Sequence, residues 1–422
     1  MLQRLFALET FGVKLGLEHI VRLCGALGHP ERHFTSIHIA GTNGKGSVTA
    51  MVHAGLVSGG IRAARYISPH LVDLNERFVI GTEPVDSAAL EDVAAHVVPL
   101  AEELRATFFE ATTAIGFELF RRANVEVAVI EVGLGGRFDA TNVIAPVVGA
   151  ITSIGLDHQQ YLGDAIESIA FEKAGIIKPG MTVIVGAVPA AAAAVIRAAA
   201  AERGARLMSA ADGAVVDVVM ADGRTSLSID TPVDRYGPLT LALRGDHQVG
   251  NALVAVRVLE AAGQAGVVLP REAIERGLSS VDWPARLELI VLDGGRRVLL
   301  DAAHNRDGAR ALAAYLGRWH PERPALVIGV MKDKDVHDIL AALLPVTSGV
   351  VATQAATARA LPAGDLACAV TAIDPGRQVR VENDPAMGVN VALDAAPTVC
   401  VAGSIFLAGA VRDGLKRRAI LR

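Results

Sequence analysis

The sequence predicts an α/β protein: a large domain on a mostly parallel sheet with helices on both faces, followed by a smaller α/β domain. Three observations predict it. Short β-branched runs alternate with longer helical patterns throughout. The candidate strands are almost continuously apolar, as strands buried on both faces are. Finally, 422 residues exceed the roughly 250–300 at which a single core stops growing. Two domains are expected, 1–283 and 284–422.

In chain order, "FTSIHIA" reads as the first strand and "RAARYI" as the next. The helix "SAALEDVAAHVVPLAEELR" leads to the strands "VEVAVIEV" and "PVVGAITSI". The helix "DAIESIAFEKAG" leads to the strand "MTVIVG". From Val215 to Leu243 the pattern alternates, and Asp222-Gly223 reads as a hairpin turn, so this stretch is expected to be an antiparallel edge. The helix "HQVGNALVAVRVLEAAG" follows. After "DWPARLE" a second strand series opens with "RVLLDAAHN", "ALVIGVM", "SGVVAT" and "TVCVAGS".

Composition narrows the function classes. Hydrophobic residues make up 51% and charged residues 20%, typical of a packed globular chain. A net charge of -5 without a basic stripe gives no reason to expect nucleic acid. The tail with Arg417, Arg418 and Arg422 reads as a solvated helix end, where cations complement the helix dipole. Cys24, Cys368 and Cys400 are far apart and form no C-x-x-C pair, which excludes a disulfide framework or a cysteine zinc site and predicts buried thiols. The N-terminus lacks a long apolar core, and Arg197 interrupts the alanine-rich run from Ala190 to Ala201, so a cytoplasmic protein without membrane association is expected.

Ligands of doubly wound sheets gather beyond the carboxyl ends of the strands. After the first strand comes "GTNGKGS", where glycines let backbone N–H groups close on phosphate and the next helix points its positive end at it. The spacing departs from G-x-x-x-x-G-K-[ST], because Ile39 holds the first glycine's place and Gly46 separates Lys45 from Ser47. Lys45 supplies a point charge and Ser47 a hydroxyl. Glu131, at the tip of "VEVAVIEV", has the position of a strand-end acid that holds Mg²⁺. Asp157 and His158 follow a third strand, and Ser68 and His70 lie in "SPHL" after a fourth. Lys173 by itself reads as a helix-end lysine complementing the dipole.

Together these strings resemble the folylpolyglutamate synthase and dihydrofolate synthase family of the Mur-ligase group. The matches are "GTNGKGS", "SPHL" with "NERF", "FFEA", "EVGLGGRFDATN", "SIGLDHQQYLG", "EKAGIIKPG", "HQVGNALVA", "WPARLE", "DAAHNRDGA", "MKDKD" and "GSIFLAGAVR", in the family's order. The resemblance implies a P-loop-type large domain and a Rossmann-like C-terminal domain. It implies that Gly44, Lys45, Gly46 and Ser47 grip ATP, and that Asn251, Arg286 and Asp301 contact the nucleotide. Ser68, Glu131 and His158 would coordinate Mg²⁺, with Lys173, carbamylated by CO₂, helping to hold a second ion. Lys45, Glu131, His158 and Lys173 would form the catalytic group.

The folate or pterin substrate would lie near Lys14, Leu15 and Gly16, near Phe109, Glu110, Ala111 and Thr112, and near Phe138, Asp139 and Ala140. L-glutamate would enter near His304. Members active on dihydropteroate often carry an acid where Lys14 stands, which leaves open whether the chain only lengthens the glutamate tail or also makes dihydrofolate. Ala302 replaces the glycine or valine of many members, a change expected to be neutral.

The activity implied is ATP-dependent addition of L-glutamate to a folate through an acyl phosphate, by a monomer. With nucleotide contacts shared between the two halves of the chain, closure about Trp283 and Pro284 is expected before transfer. A muramyl-peptide ligase is the nearest alternative, but only 40 residues precede Gly41, fewer than the roughly 50 of a compact extra domain. A kinase acting on an alcohol and a non-catalytic nucleotide-binding module are the others.

Overall fold

The computed structural model describes residues 1–12, 14 and 16–417; Leu15, Arg418 and Arg422, singled out above, lie outside them. The chain divides into two compact units. The first holds Met1–Val218, Ser226–Ala242 and Gln248–Val281, and the second Val219–Thr225, Leu243–His247 and Asp282–Arg422.

The first unit is built on eight strands: β1 Thr35–Ala40, β2 Ala63–Tyr66, β3 Phe78–Ile80, β4 Glu83–Pro84, β5 Val127–Glu131, β6 Val148–Ile151, β7 Thr182–Val185 and β8 Arg206–Ser209. Their order is β4-β3-β2-β5-β1-β6-β7-β8. From β2 to β8 all pairs are parallel, whereas β3 and β4 add an antiparallel edge. Every residue of β5 and β6 is buried, as their uninterrupted apolar runs require. One core cluster packs Tyr66, Phe78 and Ile130 against the helices Ser87–Glu103 and Phe108–Arg122. Another packs Ile151 and Val183 against Ile166–Ala174 and Ala190–Glu202.

The alternating stretch departs from expectation. It is not an edge of the large sheet but a separate three-stranded sheet, in the order β11-β10-β9, with β9 Val215–Ala221, β10 Arg224–Asp230 and β11 Arg235–Thr240. β10 buries alternate residues, Thr225, Leu227 and Ile229, so only one face needs cover. That cover comes partly from the helix His247–Gln264, where Glu260 accepts hydrogen bonds from Thr231 Oγ1 and, at 3.1 Å, from the Tyr236 hydroxyl.

The second unit carries six strands, β12 Glu288–Val291, β13 Arg297–Leu300, β14 Ala325–Ile328, β15 Val350–Ala352, β16 Val379–Val381 and β17 Thr398–Ala402, in the order β12-β13-β17-β14-β15-β16. All pairs are parallel except β12–β13. Two core clusters pack on this sheet, around Leu316 and Leu340 and around Val389 and Val411. Cys24 and Cys400 are buried as expected; Cys368 is exposed, which corrects the reading of three buried thiols.

Candidate active site

Register brings the chemical motifs together. Along β2-β5-β1-β6, Tyr66 pairs with Ile130, Ile39 with Glu131 and Ala40 with Ile151. Parallel strands end on the same side, so Ser68, Glu131, the loop from Gly41 and the loop after Ile151 emerge in one row. Glu131 is the last residue of its strand and is buried.

The phosphate-type loop is tied to the loop after β6. Thr42 N donates to Ser153 O and Asn43 N to Ser153 Oγ, each at 2.9 Å. Thr152 Oγ1 donates to Asn43 O at 2.6 Å, and Ser153 Oγ donates to the same carbonyl at 2.9 Å. Thr42 Oγ1 donates to Gly155 O at 3.2 Å and accepts from Gly155 N at 3.1 Å. The helix Lys45–Ser58 then starts without a side-chain cap and without an acid in its first turn, leaving its positive end open to an anion. Gly44 precedes it at φ 84°, and a side chain there would collide with the Asn251 carboxamide, so two reasons exclude other residues.

Lys45 Nζ donates to Thr42 O at 3.2 Å, folding back over its own loop. Ser47 is buried and its hydroxyl accepts from Gln248 Nε2 at 3.3 Å; Gln248 in turn accepts from Asn251 Nδ2 at 2.9 Å. Thr42, Thr152, Ser153 and Gln248 were missed in the sequence. The available signal was a Thr-Ser pair directly after β6.

Lys173 is buried, and its Nζ donates to Gly41 O at 2.9 Å. Reading it as a dipole-complementing helix-end lysine is therefore corrected, since the side chain runs under the phosphate-type loop. Burial pushes its pKa down to about 7, helped by the charge of Lys45 and opposed by Asp157 and Asp139. The loop after β5 presses on the same helix end. A Cβ on Gly136 would lie 3.0 Å from the carbonyls of both Glu172 and Lys173, which explains a glycine there. His158 has left-handed backbone at φ 53°, its N–H donates to Asp157 Oδ1 at 2.9 Å, and its ring is partly exposed.

The residues assigned to the substrate behave differently. Lys14 Nζ donates to Arg105 O at 2.9 Å and lies 4.9 Å from the centre of the Phe11 ring. Gly16 has φ 149°. Glu110 closes a capping box with Thr107, accepting from its N at 2.8 Å and its Oγ1 at 2.9 Å. Ala111 and Thr112, assigned to the substrate with Glu110, have no accessible surface. Phe109, partly exposed, approaches Tyr66 with ring centres 6.3 Å apart.

Asp139 is buried and accepts from Leu134 N at 2.8 Å, Thr141 N at 3.0 Å and Thr141 Oγ1 at 2.5 Å, while burial raises its pKa. Ala140 is buried beside it, and Phe138 is exposed under the Arg137 guanidinium at 4.2 Å. Asn251 belongs to the first unit. In the second, Asp301 follows β13 and accepts from Leu287 N at 2.9 Å and Ala303 N at 2.8 Å. Arg286 donates to Ala285 O at 2.9 Å, and His304 Nδ1 lies 2.8 Å from Ala302 O.

Among the described residues no helix is long and apolar enough to cross a membrane. The Mur ligase middle domain matches residues 39–259, and the Mur ligase glutamate ligase domain matches residues 285–405. The chain is 35% identical to the folylpolyglutamate synthase of Lacticaseibacillus casei over 408 residues, covering 94% of this chain and 93% of that protein. It superposes on the Mycobacterium tuberculosis folylpolyglutamate synthase, solved with ADP and AMPPCP, with TM-score 0.91, 34% identity and coverage of 100% and 99%. Escherichia coli FolC, solved with DHPP and ADP, gives TM-score 0.89 and 29% identity, covering 98% and 97%. With the strand-tip row and both ligase domains present, the chain belongs to the folylpolyglutamate synthase/dihydrofolate synthase family of Mur ligases.

Proposed function

We propose that this chain is an ATP-dependent ligase that joins L-glutamate to a folate, working as a monomer in the cytoplasm. The observation that carries the reading is the row of strand tips, where an uncapped helix end and Lys45 meet the buried Lys173, which lies against the same loop. That is a place for a nucleotide's phosphates. The complexes of relatives with ADP, AMPPCP and DHPP support the same direction.

In the proposed reaction a substrate carboxylate attacks the γ-phosphorus of ATP and displaces ADP, leaving an acyl phosphate, while Lys45 and the helix N-terminus stabilise the charge that spreads over the phosphoryl oxygens. The glutamate amine then displaces phosphate from the acyl phosphate, forming the amide. Asn251, Arg286 and Asp301 are assigned to the nucleotide and His304 to the incoming glutamate. Residues 1–283 would form the ATP and folate domain and 284–422 the glutamate-ligase domain. Lys14, Gly16, Phe109 and Phe138 are the exposed or partly exposed candidates for the pterin-bearing substrate.

Ser68, Glu131 and His158 would hold Mg²⁺. The fit is chemical: Glu131 ends β5 and Ser68 follows the neighbouring β2, so a carboxylate and a hydroxyl oxygen, donors of the kind Mg²⁺ takes, follow adjacent strands. Such an ion supplies charge neutralisation at the phosphates. For Lys173 we propose carbamylation. An amine whose pKa burial lowers to about 7 is neutral in a substantial fraction at that pH and can react with CO₂, and the resulting anion would suit a second ion.

The test is ADP release measured with tetrahydrofolate and with dihydropteroate side by side, each with and without L-glutamate. Glutamate-dependent release with tetrahydrofolate is expected, and its absence with both substrates ends the reading. Release with dihydropteroate as well would assign the chain both activities.

A further inference from the structure

Arg77, in the "NERF" string, has no part in the site described so far. It ends a short 3₁₀ turn, Leu74–Arg77, directly before β3. Because β3 pairs antiparallel with β2, setting Phe78 opposite Tyr66, and Ile67 N donates to Arg77 O at 3.1 Å, Arg77 stands at the tip of β2 beside Ser68.

Its side chain is only 6% exposed, yet among the described residues no carboxylate lies within 4 Å of its guanidinium. Nε donates to His70 Nδ1 at 3.0 Å, and the guanidinium carbon lies 5.2 Å from the centre of the Phe108 ring. Phe6 stacks on the other partner of this column, with ring centres 5.5 Å from Phe108 and planes 19° apart. Burial disfavours the charged guanidinium, and Tyr66, Glu9 and Glu131 offset this only in part. A buried cation without a counter-ion costs free energy unless an anion joins it.

The neighbours indicate which anion. On one side is the metal-type edge of Ser68 and Glu131; on the other are Phe108 and Phe109, in the stretch assigned to the pterin. A substrate spanning those two regions places its reacting carboxylate between them. That carboxylate must also approach a polyphosphate and Glu131, all negative, so a fixed cation is needed to hold it there.

We propose that Arg77 binds the folate carboxylate that is to be activated and orients it for attack; this rests on the folate reading above. The guanidinium presents its remaining N–H groups to the carboxylate oxygens. His70 holds Nε in place, and the Phe108 face fixes the plane of the fork. Arg77 thus sets the chemistry of the acyl acceptor rather than the affinity for ATP.

The experiment compares binding of tetrahydropteroylglutamate and tetrahydropteroylglutamine, which differ only in carboxylate against carboxamide, to the full chain by calorimetry. Wild type, Arg77→Met and Arg77→Lys are measured alongside AMPPCP affinity and melting temperature. Wild type should prefer the carboxylate at least tenfold. Arg77→Met should bring the ratio near one with AMPPCP affinity unchanged, and Arg77→Lys should keep most of the preference. Should Arg77→Met not fold, Arg77→Gln carries the same comparison. A preference retained in the neutral variant, with both compounds weakened equally or not at all, overturns the assignment and leaves Arg77 a structural support of the loop. A wild type that binds neither compound overturns the folate reading, and the assignment with it.

Discussion

The two units treat positive charge differently. In the second, several arginines have carboxylate partners: Arg359 with Asp333 at 3.1 Å, Arg412 with Glu288 at 3.1 Å, Arg306 with Asp338 at 3.3 Å and Arg377 with Asp374 at 2.9 Å. At the strand tips of the first unit, Lys45, Lys173 and Arg77 bond only to neutral groups, namely Thr42 O, Gly41 O and His70 Nδ1. Elsewhere in that unit the buried Arg257 is paired with Glu260 at 2.9 Å. The difference teaches where the first unit carries uncompensated positive charge, which suits the anionic ligands proposed above. A protein without such ligands gains nothing from burying cations unpaired.

The comparison can be broken most forcefully at Lys45. Lys45→Ala should lower glutamate-dependent ADP release about a thousandfold or more, with the melting temperature nearly unchanged, because a charge on the transferring group is lost. A fully active variant would show that the open cation is incidental.

Lys173→Met sharpens the point through stability. The unfolded lysine keeps its proton up to a pKa of 10.5, whereas the folded one releases it near 7. Between those values the unfolded state binds more protons, so this group makes stability rise with pH across the window, and its penalty is complete below pH 7. In the absence of CO₂, Lys173→Met should therefore be inactive yet more stable than wild type by a few kcal/mol at pH 6–7, the advantage shrinking toward pH 10. Equal denaturation midpoints at both pH values would contradict a buried, poorly paired ammonium. Activation of the wild type by bicarbonate should also weaken as pH falls below 7, because the amine must be neutral to react.

Smaller effects follow from the loop ties and from the second unit. Thr152→Val removes the donor to Asn43 O and should cost about 1 kcal/mol. It should also raise KM for ATP several-fold in steady-state assays, while leaving the fold intact by circular dichroism. Arg359→Ala cuts a half-exposed pair and should change stability by less than about 1 kcal/mol in urea unfolding. A loss of several kcal/mol there would mean that the paired cations of the second unit are as consequential as the open ones of the first.

Much of the fold is written locally. Every parallel strand adjoining the phosphate-type loop is an apolar run closed by glycine or a polar residue, and Asp222-Gly223 takes positive φ at both positions, 52° and 68°, as its composition predicts. β11, inside the stretch read as antiparallel, carries Gly237-Pro238; as an outer strand it tolerates a proline that an inner one would not. β16, three residues with two exposed, carries too little apolar signal to be read.

The site divides along the same line. Lys45, Ser47 and Glu131 announce themselves because glycines, a lysine, a hydroxyl and an acid follow strands directly. Glu110 and Asp139 sit in equally conspicuous strings, yet their carboxylates are bound up in a helix cap and a loop turn. Lys173 looked ordinary and proved to lie beneath Gly41, 132 residues away in sequence.

By itself the sequence determined the α/β class, the phosphate-type loop and the ordered strings of a Mur-type ligase, since turn chemistry and apolar periodicity act over a few residues. Only the tertiary structure decided which polar groups are already satisfied and which cations stay without an anion. Burial and partnership depend on strand order and register, and these join residues more than a hundred positions apart.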